Sequence, residues 1–247
     1  HPDMAYNVTL AGSIPAACVG KQDFVKLDTG FGVTGGLPNG LGIPRAIDVD
    51  GNGTADYAYA GDYLGNLFRF DMTSDDFHEW SVTRVFEAKY VDGGGTSHKQ
   101  AITTQPIVVA HPTESDGFII IFASGSYMTV PDGYDDSIQS IYGIWDRLAP
   151  GLISRSDLVQ QRYVNVNDPV FGKVRYLTRN PVDYSLTGAN RRGWFNDLDS
   201  VAAGGTQGVG APEFPGERAI RRILLRGGLT FVNSVIPRSG TSCLGSA

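Results

Sequence analysis

Between Asp48 and Asp56 the chain reads D-V-D-G-N-G-T-A-D, with an oxygen-bearing side chain at every second position: Asp48, Asp50, Asn52, Thr54 and Asp56. Short loops hold hard cations in this way. Carboxylates stand at the first, third and ninth places, an amide oxygen at the fifth and a main-chain carbonyl at the seventh, while Gly53 at the sixth allows the sharp turn. Without a cation the three carboxylates repel one another; with one they are neutralised and the loop is fixed. The competing reading is a solvated acidic turn, its Asp and Gly chosen for turn chemistry alone. The spacing predicts Ca²⁺ bound by Asp48, Asp50, Asn52, Thr54 and Asp56. Mg²⁺ fits less well, because it favours a strict octahedron with retained waters. The twelfth place is Tyr59, where a helix–loop–helix site needs a bidentate Glu. The loop is therefore expected on a β-hairpin, ahead of strands Tyr57–Ala60 and Asn66–Phe70.

Other groups with chemical potential are weaker. Asp132, Asp135 and Asp136 beside Pro131 and Gly133 are irregularly spaced for a second cation and read as a solvated loop. Asp62 and Asp71 flank the hairpin and suit hydrogen bonds to turn amides. Asp197 and Asp199 near Trp194 could form a sugar platform, but one Trp more simply packs between sheets. His1, His78, His98 and His111 are far apart, with no metal or triad spacing, and Ser124-Gly125-Ser126 is not a nucleophile elbow. The glycine-rich run 31–42 lacks the Lys-Ser/Thr ending and the helix of a phosphate cradle. No catalytic role is expected.

These residues need a scaffold. The chain has 247 residues, 41% hydrophobic, with 32 glycines, 11% aromatics and only 3 methionines, which together with many short apolar runs points to an all-β fold. A net charge of −6 argues against a nucleic-acid partner. No apolar run is long enough for a transmembrane helix, and Cys18 and Cys243 have no metal spacing. Residues 41–90 read as one four-stranded unit: Ile43–Ile47, Tyr57–Ala60, Asn66–Phe70 and Trp80–Ala88. Residues 100–186 repeat the order with longer loops: Thr104–Ala110, Gly117–Ser124 and Ile138–Trp145, then short strands at Arg162–Asn167, Lys173–Thr178 and Val182–Leu186. Four-stranded antiparallel units of this size are propeller blades. Before them, residues 1–40 read as leading strands (Tyr6–Leu10 and Asp23–Leu27) and a connector. Asp92–Ser97 reads as a linker, and Arg147–Val159 is the one segment with a helical pattern. Residues 187–247 begin a further blade with a hairpin around Gly227-Gly228. Because the pattern stops there, a fragment of a longer propeller is expected.

Several segments, in order, resemble the β-propeller domain of the PilC/PilY1 family of type IV pilus tip-associated adhesins. They are Gly42-Ile43-Pro44 with the loop Asp48–Asp56, then Tyr59-Ala60-Gly61-Asp62, and Gly65-Asn66-Leu67-Phe68-Arg69-Phe70-Asp71, where the family usually has Trp for Phe68. Ile102-Thr103-Thr104-Gln105-Pro106, Tyr142-Gly143-Ile144-Trp145-Asp146, Gly193-Trp194 and Gly216-Glu217-Arg218 continue the match. The resemblance implies a quinoprotein-type propeller at the pilus tip or outer membrane surface of a Gram-negative type bacterium. It implies contact with minor pilins and the pilus tip complex, with host or abiotic surfaces as further partners, and roles in assembly, retraction control, adhesion and twitching motility. The family's Arg-Gly-Asp tripeptide, present in some members, is absent here. Two alternatives stand beside it: a quinoprotein dehydrogenase, which needs a complete ring and often an adjacent cysteine pair not found here, and a plain interaction scaffold without regulated metal.

Overall fold

A computed structural model describes residues 25–34, 37–111, 117–184, 192–199 and 214–237. Cys18, Cys243, His1 and the expected strand Tyr6–Leu10 lie outside them. A small pair, β1 (Val33–Thr34) and β2 (Leu37–Pro38), precedes the first sheet. That sheet is antiparallel and follows chain order: β3 (Arg45–Ile47), β4 (Tyr57–Gly61), β5 (Asn66–Asp71) and β6 (Ser81–Glu87). A hairpin of β7 (Lys89–Val91) and β8 (Ser97–Lys99) leads out of it. The second sheet starts with β9 (Ile107–Ala110), β10 (Phe118–Ala123) and β11 (Ser140–Asp146). The chain then makes β12 (Val159–Gln161), the hairpin β13 (Tyr163–Asp168) and β14 (Gly172–Leu177), and β15 (Gly193–Asp197), before a last hairpin of β16 (Leu224–Arg226) and β17 (Leu229–Phe231). In the second sheet the order is β12-β15-β11-β10-β9, with β12 parallel to β15.

Period-two alternation tells each strand which way to face. Along β4, Tyr59 joins a core between the two sheets, while Ala58 and Ala60 turn outward with Phe68 and Phe70 onto Leu27 and Phe31. Along β10, Ile120 and Phe122 face the same central core, and Ile119, Ile121 and Ala123 pack on Ala219 and Ile223. The two sheets are thus stacked face to face around Leu67, Phe86, Phe122, Tyr142 and Ile144, all fully buried. This two-sided burial explains the unbroken apolar run Phe118–Phe122. Phe122 and Tyr142 stack at 5.2 Å between ring centroids, and Phe86 meets Phe122 edge-on at 5.8 Å.

Five expectations are corrected. Arg147–Val159 is not an α-helix: Leu148 takes φ 58° and Gly151 φ 115°, with Pro150 between them, leaving only a 3₁₀ turn at Arg155–Asp157 started by Ser154. Val25–Leu27 and Val182–Tyr184 are irregular rather than strands; Leu27 and Tyr184 instead fill the outer faces of the two sheets. Asp92–Ser97 is the turn of the β7–β8 hairpin, closed by Asp92 Oδ1 accepting from the N–H groups of Gly94 and Thr96, rather than a free linker. Finally, Gly193-Trp194-Phe195, expected to begin a new unit, pairs with β11 and completes the second sheet.

Trp194 shows why a glycine stands on β11. A Cβ built on Gly143 would lie 2.5 Å from the indole, so the ring lies directly on the backbone there. Gly143→Ala is expected to lower stability by about 1–3 kcal/mol through overpacking. Urea unfolding measures it, and an unchanged midpoint would mean that the indole is not fixed on that strand.

Candidate metal centre

The acidic loop is the connection between β3 and β4. Ile47 pairs with Tyr57 across the hairpin, and the Asp56 N–H donates to the Ile47 carbonyl at 2.9 Å, so the ladder continues to the base of the loop. On the other side, the Asp56 carbonyl accepts from the Met72 N–H at 2.8 Å, which ties the loop's last residue to the end of β5. The loop itself is exposed and folded by its own side chains. Asp48 accepts from the N–H groups of Gly51 and Gly53 at 2.7 and 2.9 Å, and Asp56 accepts from Val49 N–H at 2.6 Å. Gly51 and Gly53 sit at φ 76° and 90°, the left-handed region that lets the chain fold back over the carboxylates.

The result brings together oxygens of Asp48, Asp50 and Asp56, all within 4.8 Å of one another. Ca²⁺–oxygen distances are about 2.3–2.6 Å, so oxygens on opposite sides of one Ca²⁺ stand about that far apart. The donor set is of the right hardness and span to hold a hard cation. Asn52 is attached to the cluster through Nδ2, which donates to Asp50 at 2.9 Å, and its Oδ1 accepts from the Thr54 N–H at 2.7 Å. Thr54 adds its hydroxyl to the same oxygen. The Gly53 N–H holds the Asp48 carboxyl below its ordinary pKa, opposed by desolvation and helped by Gly51 and Asn52.

The other carboxylates of interest are already committed. Asp132 accepts from Ser126 Oγ and from the N–H groups of Met128 and Thr129, and Asp135 accepts from Ser137. Asp62 caps the β4–β5 turn through Asn66 N–H at 2.7 Å, and Asp71 binds Thr73 in the same manner. Asp197 forms an ion pair with Arg155, so its carboxylate is part of the packing rather than of a sugar platform.

Three residues to which sequence reasoning gave no joining role connect the sheets. Arg69 on β5 and Asp146 at the end of β11 form an ion pair at 2.8 Å, with side chains 7% and 2% exposed. The Tyr59 hydroxyl donates to the same carboxylate at 2.9 Å. Burial, and then Asp146, raise the Tyr59 phenol pKa, so it stays a donor; burial opposes the charge on Arg69, but Asp146 raises its pKa overall. The signal was present as charged letters inside apolar strands. Glu217 and Arg218 behave alike. Glu217 pairs with Arg175 through two contacts at 2.7 and 2.9 Å, and Arg218, 1% exposed, donates to the carbonyls of Gly216, Ser126 and Asp132.

The family model of the PilY1 beta-propeller domain matches residues 25–168. The chain belongs to the PilY1 β-propeller family. The Type IV pilus biogenesis factor PilY1 of Pseudomonas aeruginosa is 35% identical over 214 residues, covering 70% of this chain and 18% of that protein. A PilY1 homolog of Xylella fastidiosa is 31% identical over 216 residues, 83% of this chain and 13% of that protein. The crystal structure of the P. aeruginosa PilY1 C-terminal domain superposes with a TM-score of 0.65 at 29% identity, over 83% of this chain and 46% of that one. This chain thus spans under a fifth of the curated PilY1 relatives. Its two sheets are PilY1 propeller blades, and Tyr59, Arg69 and Asp146, drawn from the family-like segments YAGD, FRFD and YGIWD, join one blade to the next. No helix among the described residues is long and apolar enough to cross a membrane.

Proposed function

We propose that this chain is the propeller portion of a type IV pilus biogenesis factor whose loop Asp48–Asp56 binds Ca²⁺. One observation carries the metal assignment: oxygens of Asp48, Asp50 and Asp56 converge within 4.8 Å on a loop anchored at both ends to the blade. Asp48, Asp50 and Asp56 supply carboxylates, with Asn52 and Thr54 completing the set. Membership of the PilY1 family, and relatives that bear pilus rather than enzyme names, support a non-catalytic role over a quinoprotein dehydrogenase. The chain works at the pilus tip or outer cell surface, contacts minor pilins, and supports pilus assembly, retraction control, adhesion and twitching motility. Calcium here is a structural ligand that sets how firmly the loop-bearing blade is held.

Isothermal titration tests the site. The native chain is expected to take up one Ca²⁺ at this loop, and the Asp48→Ala, Asp56→Ala double variant to lose that uptake. Equal uptake by both would eliminate the site. In a piliated host, the same variant should change the number of surface pili or their retraction; wild-type behaviour would detach the loop from that role.

A further inference from the structure

The chain holds two Asn-Gly steps, Asn52-Gly53 in the acidic loop and Asn39-Gly40 before β3. Such a step closes on itself more readily than other Asn dipeptides, because glycine puts no side chain beside the nitrogen that attacks the carboxamide. The two meet opposite surroundings. Asn52 is exposed, and its Oδ1 accepts from the Thr54 N–H at 2.7 Å and from the Thr54 hydroxyl. Reaching an N–H two residues on folds the side chain back over the Gly53 peptide and brings Cγ beside the Gly53 nitrogen. Two donors on one carbonyl oxygen are what stabilises an oxyanion as a nucleophile adds. The Gly53 N–H is itself polarised by Asp48 Oδ2, which accepts from it at 2.9 Å. Asn39 has neither advantage. Its Oδ1 is buried without a donor, its Nδ2 is held by the Phe31 carbonyl and Asp62, and a Cβ on Gly40 would lie 3.4 Å from the Tyr63 ring.

We propose that Asn52 is a self-modifying residue, converted without an enzyme to aspartate and isoaspartate through a succinimide. The Gly53 nitrogen bonds to Asn52 Cγ, the Cγ–Nδ2 bond breaks, and the Gly53 N–H proton, carried by water, leaves with that nitrogen as ammonia. Water then opens the five-membered ring at either carbonyl. One opening leaves an aspartate at position 52. The other leaves an isoaspartate, whose main chain runs through the side-chain carbon and is longer by one methylene. The consequence rests on the reading of this loop as a calcium site. Donors at every second position meet one ion only while the backbone spacing is even. The extra methylene shifts Thr54 and Asp56 against Asp48 and Asp50, so the isoaspartate form loses calcium permanently. A bound Ca²⁺ fixes the loop and keeps the Gly53 nitrogen from closing, so the filled loop is protected and the empty loop ages.

The test is peptide mapping by mass spectrometry of the whole chain, kept warm at neutral pH in chelator, in millimolar Ca²⁺ and in urea. Conversion raises the mass of the peptide by one unit, and an isoaspartyl methyltransferase labels the isoaspartate. Urea leaves only the shared Asn-Gly sequence, so it sets the reference ratio of Asn52 to Asn39 conversion. In chelator that ratio is expected to be at least tenfold higher. Thr54→Val, which keeps the N–H and removes the hydroxyl donor, should slow Asn52 at least threefold. A ratio in chelator no higher than in urea, or a Thr54→Val variant that converts as fast as the native chain, would overturn the proposal. Millimolar Ca²⁺ should slow Asn52 at least tenfold. Fast conversion in chelator that Ca²⁺ leaves unchanged would count against the calcium reading and not against the modification. An Asn52 that stays intact in chelator, in a chain that takes up Ca²⁺ by titration, would do the reverse.

Discussion

Asp146→Ala is expected to destabilise the protein by about 3–5 kcal/mol, the range for removing one partner of a buried ion pair. The carboxylate accepts from Arg69 Nη1 at 2.9 and 2.8 Å, from the Tyr59 hydroxyl at 2.9 Å and from the Leu148 N–H at 3.0 Å. Its loss leaves a guanidinium confined between two blades and a buried phenol with nowhere to donate. Arg69 Nε is already without a partner, so the remaining protein has little to offer it. The damage lies in the orphaned charge rather than in a lost attraction. Arg69→Met combined with Asp146→Leu should therefore be less destabilised than Asp146→Ala alone, because a buried pair exchanged for apolar side chains of similar size is often close to neutral. Urea unfolding followed by tryptophan fluorescence measures both. If Asp146→Ala costs under about 1 kcal/mol, the value of an exposed pair, then the pair does not hold the blades together.

The second large effect is expected at Arg155. Its guanidinium donates to Asp197 Oδ2 at 2.6 Å, to the Tyr142 hydroxyl at 2.8 Å and to the Lys89 carbonyl at 3.2 Å, and it lies 3.9 Å from the Phe195 ring centroid. One side chain therefore joins the exit of the first blade to β11 and β15 of the second. Burial pushes the Tyr142 phenol up to about 12, with Asp197 adding to the rise and Arg155 opposing it, so the phenol stays protonated at neutral pH. Arg155→Ala removes these hydrogen bonds and the ring contact, and it takes the cation away from Asp197, 4% exposed, which also accepts from Ser140 Oγ at 2.6 Å. A loss of about 3 kcal/mol is expected. Arg155→Lys should recover only part of it, because an ammonium cannot reproduce the planar fork or lie flat on an aromatic face. A lysine variant as stable as the native chain would contradict this role.

The acidic loop could be read from sequence because everything that shapes it is local. Asp48 accepts from Gly51 and Gly53, and Asp56 from Val49, all within nine residues. Most strands were equally legible, since the short apolar β4 and the unbroken apolar run on β10 both follow from burial on two faces. The joints between blades were not. Arg69 meets Asp146 across 77 positions and Arg155 meets Asp197 across 42, and no periodicity links residues so far apart. Arg69 and Asp146 appeared only as parts of family-like segments, Asp197 only as a weak sugar-platform candidate, and Arg155 only within the expected helix Arg147–Val159. The helix expected at Arg147–Val159 failed because the apolar residues there fill gaps at the blade edge: Ile153 N–H donates to the Val85 carbonyl at 2.9 Å and its side chain enters the central core. Trp194 was placed in the wrong unit because its strand reaches β11 only after the β13–β14 hairpin has intervened. A long connection hides a sheet neighbour from any local reading.

Thermal unfolding with Ca²⁺ and with chelator, on the native chain and on the Asp48→Ala, Asp56→Ala variant, tests the central claim most directly. A ligand that binds only the folded state stabilises it by RT ln(1 + [L]/Kd), about 1.4 kcal/mol at roughly tenfold excess over Kd. For a chain of this size that is a rise of about 3–6 °C in Tm. The rise is predicted for the native chain and not for the variant. A native Tm that stays the same in chelator and in millimolar Ca²⁺, or an equal rise in both proteins, would contradict a calcium site at Asp48–Asp56.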